Sequence, residues 1–192
     1  VPLGGGQDIG KSCIVVTLGS KRIMFDCGMH MGYEDMRRFP DFKAIVASPD
    51  ELTDAIDCVV ITHFHLDHIG ALPYLTETLG YQGPVYMTHP TRAVGASQLE
   101  DYRHVMVDRM GYLNFFSRED IDAFLAPVTV LGLEETVWRD DELRLTPFYP
   151  AHIPCPVVLH AACARATPPR RSTPSARPPH QPTPRPASPA PS

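Results

Sequence analysis

The segment VVITHFHLDHIGALPYL, at positions 59–75, constrains the fold of this chain more than any other. Cys58 to Ile61 is a run of apolar, mostly β-branched residues, which predicts a short buried strand. Apolar residues then recur at 69, 72, 75 and 79, the spacing of one helix face, and Gly80 is typical of a helix end. We therefore expect the histidines and the aspartate of this segment to lie on a strand-to-helix turn.

The polar residues of this turn have the spacing of metal ligands. Side chains two positions apart in an extended segment point to the same side, so His63 and His65 are expected to converge on one ion. Asp67 and His68 lie at the start of the helix and point elsewhere, which indicates a second ion nearby. Imidazole and carboxylate ligands favour Zn²⁺ over Mg²⁺ or Ca²⁺, which prefer oxygen alone. The alternative is a polar loop with surface histidines.

Two features before the turn have both a structural and a functional interpretation. The glycine-rich segment LGGGQDIG, residues 3–10, either forms a tight turn beside the site or cradles a phosphate, although it lacks the Lys-Ser/Thr ending of a P-loop. Asp26, at the end of a predicted strand, either caps a turn or orients a metal-binding histidine. His30 follows in an irregular segment, 28–42, and is interpreted as a loop residue rather than a ligand.

The remaining pattern predicts a layered α/β fold. Gly19 to Lys21 separates two strand-like runs and is typical of a hairpin turn. A helix is expected from about Thr91, and Ser117 has the sequence context of a helix N-cap. Strands that alternate with helices favour a sheet covered by helices. Strands are predicted at 12–18, 22–26, 58–61, 84–88, 128–131 and 142–149.

Charge and proline content divide the chain into two unlike parts. All 22 acidic residues lie at or before Glu142, and the charged side chains after it are all arginines. Residues 164–192 are rich in proline and nearly free of large apolar side chains, so this tail is expected to be disordered with polyproline II character. The tail is either simply solvated or a ligand for a proline-binding or RNA partner.

Cysteine and hydrophobic content bear on the location of the protein. The five cysteines include no Cys-x-x-Cys pair, which favours reduced thiols inside a cell. No run of about 18 apolar residues is present, so we expect no membrane span. From residues 1–11 we expect no signal peptide before the first predicted strand.

Several segments together resemble one known family. THFHLDH at 62–68, PLGGGQDIGKSC at 2–13 and GMHMGYEDMRRFPDF at 28–42 are similar to the β-CASP branch of the metallo-β-lactamase fold. That branch contains the RNA endonucleases of the Integrator complex and of cleavage and polyadenylation. The fold implied is an αββα sandwich with zinc bound at the ends of its strands.

The resemblance assigns roles to individual residues. Asp26 matches the family's first motif and is expected to orient a ligand from outside the coordination shell. His152, in the sequence YPAH, stands where the family has its third-motif histidine, a ligand of the first zinc. Asp67 and His68 are expected to be catalytic, with Asp67 orienting or deprotonating the attacking water. The metal ligands implied are His63, His65, Asp67, His68 and His152.

The function implied is that of a zinc-dependent RNA endonuclease. As an Integrator subunit it would process the 3′ ends of small nuclear RNA, with RNA and other Integrator subunits as partners and no membrane. The nucleus is the expected location, with the cytoplasm as the alternative. The family binds two zinc ions, bridged by an aspartate that lies beyond the third motif. Because no Asp or Glu follows Glu142, at most one zinc is expected to bind well, and the chain is expected to be inactive.

The domain organisation expected from the resemblance is a partial sandwich followed by unlike sequence. Residues 1–152 would form the first part of the metallo-β-lactamase domain, 153–163 a divergent transition segment and 164–192 the tail, with the β-CASP domain absent. Two alternatives stay open. The chain could be another hydrolase of this fold that acts on a small ester or thioester. It could also be a non-catalytic truncated product whose tail arises from read-through into non-coding sequence.

Limited proteolysis tests where the tail begins. Trypsin should remove residues after about Ala164 first, because an extended, arginine-containing segment offers accessible cleavage sites. Mass spectrometry of the fragments gives the boundary. A protease-resistant core that extends to Ser192 would contradict this prediction.

Overall fold

A six-stranded mixed sheet forms the centre of the fold. The computed structural model describes residues 1–7, 9–111, 115–148 and 158–163. The strands of this sheet lie in chain order from its first strand to its sixth. They are β1 (Pro2–Gly4), β2 (Cys13–Leu18), β3 (Lys21–Phe25), β4 (Cys58–Val60), β5 (Val85–Thr88) and β6 (Thr129–Leu131).

The sheet is antiparallel on one side and parallel on the other. β1, β2 and β3 pair antiparallel, and the turn between β2 and β3 contains Gly19 with a φ of 63°. From β3 to β6 each neighbouring pair is parallel, so the connections cross over the sheet. The carboxyl ends of β3, β4 and β5 therefore lie side by side, which is where α/β sheets carry their ligand sites.

Helices cover one face of this sheet. The first turn of α4 is fixed by a capping box, in which Ser117 and Asp120 each accept a hydrogen bond from the other's backbone N–H. π-helical segments follow two of the helices, at Tyr74–Thr78 and His104–Arg109. Among the residues that the structure describes, no helix combines the length and the apolar character that a membrane crossing needs. The helices are α1 (Leu52–Ala55), α2 (Leu66–Ile69), α3 (His89–Arg103) and α4 (Arg118–Leu125).

A second, antiparallel sheet covers the other face. Successive residues of a strand point to opposite sides, and in the central strands both sides are buried. Met24 and Val59 pack in the core under the helices, whereas Ile23 and Val60 pack against the second sheet. The described residues thus form three layers, a helical layer and two sheets. The strands of the second sheet are β7 (Val137–Trp138), β8 (Leu143–Phe148) and β9 (Val158–Cys163).

The α/β prediction is confirmed, together with the hairpin after β2 and the N-cap at Ser117. The motif does lie on a strand-to-helix turn, but α2 begins at Leu66 and ends at Ile69, where the predicted helix begins. The remainder of the predicted helix, up to Gly80, contains the π-helical segment Tyr74–Thr78. β9 lies in the segment 153–163, where no strand is predicted. The predicted ligand His152 and the tail at 164–192 lie outside the described residues.

Substitution of Gly28 tests how tightly the chain after β3 packs on the motif turn. A methyl group at Gly28 would collide with the carbonyl oxygen of Asp67 and lie 2.8 Å from the nitrogen of His68. Gly28→Ala should therefore lower the free energy of unfolding by about 1–3 kcal/mol, the usual range for overpacking. Urea unfolding followed by circular dichroism measures the change. Gly6→Ala is the control, since a methyl group there meets no atom closer than 3.8 Å. Equal stability of the two variants would contradict the prediction.

Candidate metal centre

Asp26 lies directly after β3 and connects three parts of the site. Its φ of 60° is uncommon for a residue other than glycine, and the residue is only 7% exposed. Oδ1 accepts a hydrogen bond from the Thr62 N–H at 2.7 Å, and Oδ2 accepts one from the Thr62 hydroxyl at 3.0 Å. Nδ1 of His68 lies 2.8 Å from the same Oδ2. One carboxylate thus joins the end of β3 to the residues after β4 and to α2.

A chain of hydrogen bonds leads from Asp26 to the first two histidines. Because the Thr62 hydroxyl donates to Asp26, its oxygen can accept from Nδ1 of His63, 3.1 Å away. A proton on Nδ1 leaves Nε2 of His63 with a free lone pair. That Nε2 lies 3.2 Å from Nδ1 of His65. The structure therefore brings His63 and His65 together with ligating nitrogens facing one another.

Asp67 and His68 form a second pair beside the first. Nε2 of His68 lies 3.5 Å from Oδ2 of Asp67, and the ring centroids of His63 and His68 are 3.8 Å apart. Since Asp26 holds the Nδ1 side of the His68 ring, Nε2 is the nitrogen directed toward Asp67. The four residues of the motif thus form two adjacent pairs of potential metal ligands, the donor pairs His63–His65 and Asp67–His68.

The two pairs suit zinc in chemistry and in spacing. Two ligand atoms at about 2.1 Å from a tetrahedral zinc ion lie about 3.4 Å apart, close to the 3.2 Å and 3.5 Å of the two pairs. Within the described ranges, no group of three or more His, Cys, Asp or Glu side chains is placed so that it could hold an ion. His152, the predicted third ligand beside His63 and His65, lies outside those ranges.

Backbone hydrogen bonds hold the motif turn on the sheet. The Ser12 N–H donates to the Asp67 carbonyl and the Cys27 N–H donates to the His68 carbonyl, both at 2.8 Å. Ser12 closely follows the glycine-rich segment at 3–10, so that segment lies next to the candidate site. The positions of Asp67 and His68 are therefore set by the main chain on both sides of the turn.

Burial and neighbouring charges shift the pKa values of His63 and His68 in opposite directions. Burial lowers the pKa of His63, and the adjacent His68 ring lowers it further. Burial also acts to lower the pKa of His68, but the hydrogen bond with Asp26 and the charges of Asp26 and Asp67 outweigh it, so this pKa is raised. In the absence of a metal, a proton is held on His68 in preference to His63.

The buried cysteines near this turn stay protonated. Burial raises the pKa of the Cys13 and Cys27 thiols far above the ordinary value, and it raises the pKa of Cys58 to about 12. Only a thiolate is a strong nucleophile or zinc ligand. The donors of this site are therefore the imidazoles and the carboxylate of the motif.

One residue of each donor pair, His65 and Asp67, lines a cleft of about 650 Å³. Its walls come from the motif turn, from the chain after β3 and from α3. His30, interpreted from the sequence as a loop residue, lines this cleft together with His65, Asp67, Asp101 and Tyr102. A ligand of moderate size can therefore reach the motif residues from solvent.

Comparison with known proteins gives the family of this chain. Residues 7–167 match the profile of the metallo-beta-lactamase superfamily. The chain belongs to the metallo-β-lactamase superfamily. Membership of this family implies metal binding, and the two donor pairs are the candidate ligands within the described residues.

Relatives of this metallo-β-lactamase-superfamily chain are named as subunits of the Integrator complex and of a cleavage and polyadenylation specificity factor. It is 53% identical over 152 residues to Integrator complex subunit 11 of Danio rerio, an alignment that covers 79% of this chain and 25% of the relative. Integrator complex subunit 11 of Gallus gallus gives the same identity and coverage. Cleavage and polyadenylation specificity factor subunit 3-II of Arabidopsis thaliana is 49% identical over 159 residues, which cover 83% of this chain and 26% of the relative. The chain spans about a quarter of the length of these relatives.

Thr62 is the residue of this metallo-β-lactamase site that the ligand pattern does not reveal. Its N–H and its hydroxyl both donate to Asp26, and its oxygen contacts Nδ1 of His63. Threonine is not a typical zinc ligand, so a search for ligand spacing passes over it. The available signal is its position directly before the first histidine of the motif.

Removal of the Asp26 charge tests why the pKa of His68 is raised. In the metal-free chain, Asp26→Asn should lower the pKa of His68, because the carboxylate hydrogen bond and charge are both lost. NMR titration of the imidazole resonances measures this pKa, with the other histidines as internal references. An unchanged His68 pKa in the variant would contradict the assignment.

The stability difference between the wild-type chain and Asp26→Asn should depend on pH. A histidine whose pKa is raised in the folded state stabilises that state fully below its unfolded pKa of about 6.5, and this contribution is lost as pH rises through the folded pKa. The advantage of the metal-free wild-type chain over Asp26→Asn should therefore be larger in mildly acidic buffer than in alkaline buffer.

Proposed function

We propose that this chain forms the metal-binding part of a zinc-dependent RNA endonuclease. The observation that carries the proposal is the arrangement around Asp26. Its carboxylate orients His63, through Thr62, and His68 directly, so that the free nitrogen of each ring faces another potential metal ligand. Two adjacent sets of ligands are what a two-metal phosphodiester hydrolase requires.

The motif residues would hold the metal in two groups. His63 and His65 are proposed to bind the first zinc ion with His152 as the third ligand, and Asp67 and His68 would contribute to a second. Asp26 contacts no metal in this proposal but determines which nitrogen of each histidine is free. Bound zinc would supply a Lewis acid that neutralises phosphate charge and acidifies a water molecule.

Asp67 is proposed to orient and deprotonate the attacking water, with His68 beside it. The Asp67 side chain is 34% exposed and lines the cleft, so water and substrate can reach it. Asp26 is unsuited to this role because its side chain is 10% exposed and both of its oxygens already accept hydrogen bonds. Nε2 of His68 lies 3.5 Å from the Asp67 carboxylate, so a single metal ion could bind both side chains and keep Asp67 in place.

RNA is proposed as the substrate because of the relatives. Two of them are named as Integrator subunits, and a third is named for cleavage and polyadenylation, a process that acts on RNA. By this similarity the full protein would process the 3′ ends of small nuclear RNA in the nucleus, together with other Integrator subunits. A small ester or thioester has no comparable support.

The 192-residue chain is proposed to cleave RNA poorly on its own. No Asp or Glu follows Glu142 in it, so a bridging carboxylate for two metals would have to come from elsewhere. Asp67 and His68 alone are too few protein ligands for a tight zinc site, which usually has three or four. Binding of the first ion is therefore expected without efficient cleavage.

Zinc content tests the proposed first metal position. The purified chain should retain about one zinc ion per molecule. His63→Ala should remove most of it, because one of three nitrogen ligands is lost. His104→Ala is the matched control, since His104 is exposed and pairs with Asp108. Plasma mass spectrometry after dialysis measures the zinc. Equal losses from both replacements would count against the assignment.

A chimeric protein tests the proposed reaction. The aligned segment of the Danio rerio relative is replaced by the matching 152 residues of this chain, and cleavage of a labelled single-stranded RNA is followed with zinc present. Asp67→Ala should slow cleavage by at least about a hundredfold, as expected for loss of a group that moves a proton. Asp101→Ala should not, although Asp101 lines the same cleft.

Two outcomes would overturn parts of this proposal. A folded, zinc-loaded chimera that cleaves RNA equally fast with and without the Asp67 carboxylate would refute the catalytic assignment. Rapid zinc-dependent cleavage by the unmodified 192-residue chain would show that the motif turn suffices without a bridging carboxylate.

A further inference from the structure

His30 lines the cleft but has no role in the proposed metal site. It shares the cleft with His65 and Asp67, although it comes from the chain after β3 and not from the motif turn. The residue is partly exposed, so a ligand in the cleft can reach the ring. Its surroundings indicate what kind of contact the ring can make.

The hydrogen bond at Nδ1 determines which nitrogen of His30 can donate. Nδ1 accepts from the Gly32 N–H at 3.0 Å, so in this arrangement Nδ1 carries no proton. The proton of the neutral ring then lies on Nε2. His30 therefore offers one donor, Nε2–H, and no ligating lone pair outside its own loop.

Two glycines and a tyrosine fix the position of the His30 ring. A methyl group at Gly10 would lie 2.8 Å from Cδ2 of His30, and one at Gly32 would lie 3.0 Å from Cε1. The Tyr33 ring packs against the imidazole at a centroid distance of 4.6 Å. A ring held in this way loses little conformational entropy when a ligand binds.

Arg38 anchors the backbone of His30 to the interior. The His30 N–H donates to the Arg38 carbonyl at 2.8 Å, and Arg38 is only 2% exposed. The Arg38 guanidinium lies 4.9 Å from the centroid of the Phe115 ring and donates a hydrogen bond to the Tyr102 hydroxyl. Tyr102 is itself a residue of the cleft. Arg38 thus joins the His30 segment to α3, so that two walls of the cleft are held together.

We infer that His30 is a substrate-binding residue that donates from Nε2 to a non-bridging phosphate oxygen of the RNA. This inference rests on the proposed function. Asp67 and Asp101 line the cleft and repel a phosphodiester, so a bound RNA needs compensating donors there. A preset N–H that meets a charged oxygen forms a stronger hydrogen bond than one that meets a neutral acceptor.

Binding of an RNA analogue that resists cleavage tests this contact. The zinc-loaded, full 192-residue chain is titrated with a tetranucleotide of 2′-O-methyluridine, and the NMR signal of His65 reports occupancy of the cleft. His30→Ala should weaken binding about tenfold, the effect of one hydrogen bond to a charged group. His30→Gln should retain most of the affinity, because its amide nitrogen reaches the position of Nε2. His104→Ala, outside the cleft, should bind as the wild type does.

Each result of this titration decides a separate question. Unchanged affinity in His30→Ala, with the His65 signal still shifting, would overturn the His30 contact and leave the RNA function intact. Affinity in His30→Gln as low as in His30→Ala, with both variants unfolding at the wild-type temperature, would overturn the donor role. If His30→Ala fails to fold, the glutamine variant decides alone, and a large loss of affinity in it would overturn the donor role. A His65 signal that does not shift at any RNA concentration would overturn RNA as the ligand of this cleft and the His30 contact with it, whereas the proposed function of the full protein is decided by the chimera.

Discussion

The parallel pairing of β3 with β4 is the constraint on which the candidate site depends. In this register Phe25 lies opposite Val60, and the Asp26 N–H donates to the Val60 carbonyl at 2.9 Å. Both strands leave the sheet at the same edge, so the Asp26 carboxylate meets Thr62 directly. A shift of one residue would turn Asp26 to the opposite face of the sheet. The ring orientations of His63 and His68 would then lose their common support.

Local geometry made part of the site predictable from the sequence. Two-residue spacing in an extended segment is enough to anticipate that His63 and His65 converge, and the structure places their facing nitrogens 3.2 Å apart. The partners of Asp26 lie 36 and 42 residues away along the chain, so the role of Thr62 follows only from the tertiary fold. The position of His30 in the cleft likewise depends on contacts with Gly10 and Arg38 that no spacing rule encodes.

The fold was predictable where hydrophobic periodicity is strong and not where it is weak. The β-branched strand at Cys58–Val60 has a clear pattern, and so does the helical spacing of apolar residues at 69, 72, 75 and 79, which continues through the π-helical segment Tyr74–Thr78. α2 still begins earlier than these apolar residues indicate, because its first turn consists mainly of site residues. β9, with the sequence VLHAAC, has small side chains and little alternation, and it is a strand because it pairs with β8 along six residues.

The backbone conformation of residue 26 restricts which amino acids can stand there. A φ of 60° is readily adopted only by glycine and, among other residues, by Asn and Asp. The main chain would therefore accept any of these three without refolding the turn. Only aspartate also supplies the two acceptor oxygens that fix Thr62 and His68. Asn or Gly at position 26 would therefore leave the turn intact but remove the support that orients the Thr62 and His68 side chains, so the fold can persist where the metal centre does not.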